Sequence, residues 1–243
     1  MARASKEGAK PAIVVNDVHK SFDGRPVLKG LSFSVYPGET LGIIGPSGCG
    51  KSTILKILCN LLDADSGTIE RDSDDIGLVF QGSALLNSYT VRENLQLALR
   101  GRKLSKDEQE AQIRKTLALV GLGDHLDHFP SELSGGQQKR TSFARAVVYN
   151  PKIILYDEPT TGLDPVMSTI VEDYMIELEK ELQAASIVVT HQYSTWTRTA
   201  DRIIMMHAGR IVWEGDPEEA VQSQNPYIHQ FAHATKEGPM LDA

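Results

Sequence analysis

The chain has 243 residues, a 41% hydrophobic and 23% charged composition and a formal charge of -7, which suits one globular core and disfavours nucleic acid as a partner. Two cysteines, Cys49 and Cys59, are too few for a disulfide framework and stand in no metal-ligand pattern. No apolar run approaches the roughly 18 to 20 residues that cross a bilayer, so the protein is expected to be soluble and to meet a membrane only through a partner.

In chain order, residues 1–11 lack the apolar stretch of a secretory signal and read as a short disordered leader. Residues 12–243 then read as one domain. Short β-branched runs give strand signals at 13–15, 27–35 and 40–44. The third runs into Gly45-Pro46-Ser47-Gly48-Cys49-Gly50-Lys51-Ser52-Thr53, which has the spacing G-x-x-x-x-G-K-S/T between a strand and a helical pattern at 54–62. That is a phosphate-binding loop. Its glycines let several backbone N–H groups turn toward one anion, and the following helix adds its positive end. Lys51 supplies a point charge, and Ser52 a hydroxyl for magnesium.

A strand signal at 76–80 ends on Gln81. From there to Pro130 strand signals stop, and residues 88–130 read as a helical lobe inserted into the sheet. Within it Ser105 and Glu108 make a capping box ahead of Ile113, Leu117 and Val120. Next comes Leu133-Ser134-Gly135-Gly136-Gln137, where Ser134 can cap a helix whose Gly-Gly amides form a second anion site. The apolar strand at 153–156 leads into Asp157 and Glu158, two carboxylates at the strand end where open α/β sheets hold ligands. Asp157 can hold magnesium through water, and Glu158 can polarise an attacking water as general base, a role worth about 10²- to 10⁴-fold.

An apolar series Val166, Ile170, Tyr174, Leu178 and Leu182 predicts a helix, and further strands are expected at 186–189, 203–206 and 211–213. His191 follows the first of these. The other histidines, His19, His125, His128, His207, His229 and His233, carry no such context. A tail at 216–243 ends on an apolar face of Tyr227, Ile228 and Phe231, which is expected to dock on its own domain or on a partner. The order predicts an α/β fold with a mainly parallel sheet, an antiparallel region at its N-terminal side and the helical insertion.

The run from Leu133 to Gln137, placed between the phosphate loop and the Asp-Glu strand, resembles the signature loop of the ABC (ATP-binding cassette) ATPases. The resemblance extends over nearly the whole chain. It implies a P-loop ATPase with ATP and Mg2+ as cofactors, working as a head-to-tail homodimer beneath an integral membrane permease. Each ATP would lie between the phosphate loop of one copy and Ser134, Gly135, Gly136 and Gln137 of the other. It further implies that Gln81 touches magnesium and senses the permease, that Asp164 faces the second copy, and that His191 contacts the γ-phosphate. Phe22 stands where the family stacks an aromatic ring on adenine. One departure is that only 30 positions separate Lys51 from Gln81, which shortens the antiparallel region.

Three finer runs, Val79-Phe80-Gln81-Gly-Ser-Ala84-Leu85-Leu86-Asn-Ser-Tyr89-Thr-Val91-Arg-Glu93-Asn94, Tyr156 to Pro165 and Asn225-Pro226-Tyr-Ile-His-Gln230-Phe231, are similar to the ATPases of Mla-type lipid transporters and their plastid lipid-importer relative. That branch implies lipid or phospholipid transport, an MCE-type lipid-binding subunit, and a peripheral place on the cytoplasmic side of a bacterial inner membrane or plastid envelope. Non-transport members such as iron–sulfur assembly factors, and importers of other small substrates, share the catalytic motifs.

Overall fold

The computed structural model describes residues 10–240, so nearly all of the expected leader lies outside the described residues. Two sheets organise the chain. β1 (Ile13–Phe22), β2 (Arg25–Val35) and β4 (Ser66–Arg71) form an antiparallel sheet in the order β2-β1-β4. β3 (Thr40–Ile44), β5 (Ile76–Val79), β6 (Ile153–Asp157), β7 (Ala185–Thr190), β8 (Arg202–His207) and β9 (Arg210–Gly215) form a second sheet in the order β5-β6-β7-β3-β8-β9. All its pairings are parallel except that of β8 with β9.

β3 and β7 are buried at every position, which is why they read as unbroken apolar runs. β4 escaped the sequence reading for the opposite reason. Its residues are exposed or half-buried, Ile69 contributing only from the margin, and it gains strand form by pairing Val15 with Ile69 and Ile13 with Arg71. The short spacing between Lys51 and Gln81 therefore still leaves three antiparallel strands. They pack through Val15, Leu31 and Val35 onto α1 (Lys51–Leu58) and the main sheet. α1 begins earlier and ends sooner than expected. Lys51 is already helical, while Asn60 adopts a left-handed φ of 56° that stops further turns.

Residues 88–130 hold α2 (Val91–Ala98), α3 (Lys106–Leu119) and 3-10 turns at Gly123–His125 and Pro130–Glu132. The Ser105–Glu108 capping box is formed in both directions, and Ile113, Leu117 and Val120 are buried. α4 (Gly135–Val147) joins this helical cluster to the sheet: Ala144 faces the helices and Phe143 the strands.

α5 (Pro165–Leu182) is a helix as expected, with its buried face overlapping the expected one at Leu178 and Leu182 and shifted elsewhere. Val171, Met175 and Leu178 are buried, and Val166 is 70% exposed. A strict i, i+4 series turns by about 40° per step on a helix of 3.6 residues per turn, so five members sweep across the surface and cannot share one face. α6 (Tyr193–Thr199), α7 (Pro217–Gln222) and α8 (Pro226–His233) complete the chain. Ile228 of α8 is buried with Trp196 and Ala220, so the tail docks on its own domain. Among the described residues no helix is long and apolar enough to cross a membrane.

Candidate nucleotide site

Four loops leave the carboxyl ends of parallel strands on one edge of the main sheet: Gly45 after β3, Gln81 beyond β5, Glu158 after β6 and His191 after β7. Such an edge is where doubly wound sheets bind ligands. Ser47, Gly48, Gly50, Lys51, Ser52, Thr53, Gln81, Glu158 and His191 line one open cleft there, with Val27 of β2 closing a side.

The phosphate loop needs its glycines for two separate reasons. Gly45 and Gly50 have φ of 146° and 108°, and a Cβ on Gly45 would strike the Met206 carbonyl, while one on Gly50 would come within 2.6 Å of Leu28. The loop is thus pressed onto β8 and β2 with room for backbone only. Lys51 is buried, and its Nζ donates to the carbonyls of Gly45 at 2.8 Å and Pro46 at 3.0 Å. An ammonium has three donors, so one more can reach a phosphate oxygen. Cys49 is buried in the same loop, and burial pushes its thiol up, with Lys51 pulling partly back, which disfavours the nucleophilic thiolate.

Ser52 donates its hydroxyl to Asp157 Oδ1 at 3.0 Å. Burial pushes the Asp157 carboxyl up, the Ser52 hydroxyl draws it down, and the Glu158 charge adds to the rise. These two oxygens, from the helix start and the strand end, form a hard-donor pair of the kind magnesium takes, and Gln81 lines the same cleft.

Glu158 is buried and sits at a φ of 49°, a left-handed conformation that a residue with a side chain enters only at a cost. Its backbone N–H donates to Val189 at 2.9 Å. Oε1 lies 2.8 Å from His191 Nδ1, and Oε2 accepts from Thr161 at 3.1 Å and Thr190 at 3.4 Å. Against a carboxylate, Nδ1 carries the proton, which leaves Nε2 to face the cleft. The strain and the set of donors together hold one carboxylate oxygen pair beside the place where the phosphate loop would present a terminal phosphate.

Sequence reasoning missed Thr161, Thr190 and above all Lys139. Its Nζ donates to the carbonyls of Gln81 at 2.9 Å, Thr161 at 3.1 Å and Pro159 at 3.2 Å. Burial pushes the ammonium down, while Glu158 pulls it back up. The only signal was a lysine near the N-terminal end of a helix, against the helix dipole.

Three expected groups stand apart from the cleft lining. Phe22 ends β1 half-exposed, with Lys20 Nζ 5.6 Å from its ring centroid. Ser134 caps α4 by accepting from the Gln137 N–H, and its own N–H donates to Gln137 Oε1 at 2.8 Å. Gly135 has open space around it, and a Cβ on Gly136 would strike Met167. Asp164 caps α5, accepting from Val166 and Met167 at 3.0 Å.

The ABC transporter family matches residues 28–161. The chain is 41% identical over 259 residues to the chloroplastic protein Trigalactosyldiacylglycerol 3 of Arabidopsis thaliana, covering 94% of this chain and 75% of that one. It is 37% identical to a methionine import ATP-binding protein of Pseudomonas putida, covering 90% of this chain and 72% of the other. With a spermidine/putrescine import ATP-binding protein of Vibrio cholerae it shares 36% identity, over 91% of this chain and 62% of that protein. Among solved structures, cbiO1 of Clostridium perfringens, part of the ABC transporter complex cbiONQ, superposes with a TM-score of 0.81 at 28% identity, over 88% of this chain and 92% of that one. With its phosphate loop, its Asp-Glu strand end and its capped Ser-Gly-Gly-Gln helix on this scaffold, the chain belongs to the ATP-binding proteins of ABC transporters, ATPases coupled to transport.

Proposed function

We propose that the chain drives lipid movement through an integral membrane permease, as a head-to-tail homodimer with magnesium and ATP at each of two shared sites. The observation that carries the lipid reading is the likeness to the plastid protein named for trigalactosyldiacylglycerol. It spans nearly this whole chain at an identity above that of the small-solute importers. The head-to-tail reading rests on separation: Ser134 to Gln137 cap a helix away from the cleft lined by Lys51 and Glu158. A second copy turned end to end would bring those amides to the cleft of the first.

Magnesium would be held by Ser52, Asp157 and Gln81, and when bound it neutralises phosphate charge. Lys51 binds and orients the β- and γ-phosphates, Glu158 takes the proton of an attacking water, and His191 holds that carboxylate on one side. Phe22 offers a ring face for adenine and Asp164 faces the second copy.

The permease would meet the loop after Gln81. Leu86 is 44% exposed there, and the loop is fixed from beneath by Asn94, which is fully buried. Asn94 accepts from the Leu86 N–H at 2.9 Å, and the two protons of its Nδ2 are shared among the carbonyls of Leu86, Tyr89 and Thr90. A loop held this firmly can pass a movement of the cassette to whatever rests on it. The protein would then sit peripherally on the cytoplasmic face of a bacterial inner membrane or plastid envelope, with an MCE-type subunit handling the lipid.

Import of a small soluble substrate is the second reading, favoured by the polyamine and methionine relatives. Purifying the tagged chain with the membrane proteins it captures, followed by mass spectrometry of bound lipid, separates the two. A captured permease with stoichiometric lipid is expected. A permease that retains no lipid and whose ATPase is stimulated by a polyamine or amino acid would overturn the lipid reading.

A further inference from the structure

Glu172 lies on α5 with no exposed surface, a carboxylate that none of the nucleotide contacts accounts for. Burying a carboxylate costs several kcal/mol unless it is paired and hydrogen-bonded. Here it is both. Ser194 and Thr195 of α6 donate to its Oε1 at 3.1 and 2.9 Å, and Arg198 Nε stands 2.8 Å from Oε2, close in charge though not aligned for a hydrogen bond. Thr195 in turn lies 2.7 Å from the hydroxyl of Thr160, and Thr160 Oγ1 lies 2.9 Å from Gln192 Oε1. Thr160 and Thr195 are fully buried.

The donor count gives this row a direction. A carboxylate only accepts, and a threonine hydroxyl has a single proton. Thr195 gives its proton to Glu172, so it must accept from Thr160. Thr160, its own proton used, must accept from Gln192. With Oε1 toward Thr160, that hydroxyl would need two protons; the oxygen and nitrogen of a carboxamide exchange by a half-turn, and the count assigns the nitrogen to the position facing Thr160. One buried charge thereby orients every member in sequence.

The ends of the row matter for the cleft. Gln192 directly follows His191, and Thr160 follows Glu158 by two residues. At the cleft the two loops meet through the His191–Glu158 contact, in which the His191 side chain is 49% exposed, with Thr190 and Val189 at the strand end also bonded to Glu158. We propose that Glu172, Thr195, Thr160 and Gln192 are positioning residues for ATP hydrolysis, which hold the His191 loop in register with the Glu158 loop. The inference rests on the reading of Glu158 and His191 as groups that face the reacting phosphate and water. A displacement of about 1 Å at such groups can cost 10²-fold in rate, so partial loosening should show in turnover while the phosphate loop, built on other residues, keeps its affinity.

The test compares Thr195→Val, Thr195→Ser and Gln192→Leu in the full chain, at protein concentrations where turnover per chain has levelled off. ATP turnover and binding of a fluorescent ATP analogue are measured side by side. Thr195→Val and Gln192→Leu should lower kcat about tenfold, leaving KM and analogue affinity within about twofold, while Thr195→Ser keeps turnover close to the parent. Turnover unchanged in Gln192→Leu, Thr195→Ser as impaired as Thr195→Val, or affinity falling in step with kcat would each overturn the proposal. If Thr195→Val does not fold, Gln192→Leu at a half-buried position decides alone. His191→Ala runs beside them. Full turnover there removes the underlying reading of the site, whereas lost turnover there with an unaffected Gln192→Leu removes only the positioning role.

Discussion

Lys139 Nζ stands 2.9 Å from the carbonyl oxygen of Gln81, so the helix capped by Ser134 grips the loop that leaves β5. The same ammonium holds Pro159 and Thr161, which follow directly on the left-handed turn that Glu158 adopts. One cation on α4 therefore ties two loops of the cleft through three carbonyls. Replacing it by methionine keeps the aliphatic stem and strands three carbonyls. Lys139→Met should lower stability by about 2 kcal/mol, roughly 4–8 °C in Tm for a chain of this size. Thermal unfolding followed by circular dichroism checks this, and a Tm within 1 °C of the parent, on the order of experimental scatter, would remove the tie.

Glu158→Gln keeps the volume of the side chain and can keep the contacts to Thr161 and Thr190 through its remaining oxygen. It removes the proton acceptor of the proposed mechanism. Turnover should fall by at least about 10²-fold while ATP affinity stays near the parent, and size-exclusion chromatography with ATP and magnesium should show a retained dimer. Near-parental hydrolysis by this variant would strike Glu158 from the reaction.

Where sequence and structure agree, the reason is local chemistry. The turn at Gly45 to Gly50 can be read because its residue types are demanded by backbone conformation. The Ser105 and Ser134 caps can be read because each is made within four residues. β4 could not be read, since its form comes from pairing with β1 across about 50 intervening residues and not from its own apolar content. Nor could Lys139, whose three partners lie 20 to 58 positions away along the chain. The α5 stripe held only in part, for a geometric reason: five positions spaced by four sweep about 160° around the helix, and the sheet buries Leu178 together with Val171 and Met175 while Val166 stays exposed. Glu172 looks like a surface residue in any linear reading, because its burial depends on α6 arriving with Ser194, Thr195 and Arg198.

Asp157 gives a pH prediction whose sign follows from its raised value. The folded carboxyl holds its proton at pH values where the unfolded one, near 3.9, has already lost it. Stability therefore falls as pH rises from about 4 through the folded value, and in the absence of magnesium Asp157→Asn should be more stable than the parent at pH 7. The difference should shrink as the pH is brought down toward 4. Urea unfolding at pH 7 and about pH 4.5, without divalent cation, measures both ends. With magnesium and ATP the order should reverse, because the ionised oxygen is what the cation requires. Equal stability of the two proteins at pH 7 would show that Asp157 is not desolvated to the extent its surroundings imply.

Pairing can be tested by complementation. Lys51→Ala removes the ammonium aimed at the phosphates, and Ser134→Arg fills the mouth of the signature helix, so neither chain alone should turn over ATP. Mixed, they should form heterodimers with one intact composite site, and activity should return to about a quarter of the parental value for random pairing of equal amounts, taking half the dimers as mixed with one of two sites working. Parental turnover per chain should also rise with chain concentration. Absence of recovery on mixing, with heterodimers present, would refute the head-to-tail arrangement.

The tail supplies the last prediction. α8 is capped by Asn225, which accepts from Tyr227 and Ile228, and it lays Ile228 against Trp196, Met205 and Ala220. Tyr227 packs against His207 with ring centroids 4.9 Å apart and planes tilted by 46°, and Gln230 accepts from the Met240 N–H at 2.9 Å, folding the residues after α8 back onto it. Trp196 belongs to α6, whose N-terminal end follows His191 and Gln192. The tail therefore supports the histidine loop from behind, within one chain. Ile228→Ala should leave a cavity costing about 2–4 kcal/mol, lowering Tm by roughly 4–16 °C. Because α6 also carries Thr195, the variant should lose turnover more than nucleotide affinity. Dimer formation should be unaffected at temperatures below the new transition. Sedimentation of the Ile228→Ala protein at low temperature decides between this and a tail that crosses to the second copy: a monomer with unaltered Tm would place the contribution of α8 at the dimer interface instead.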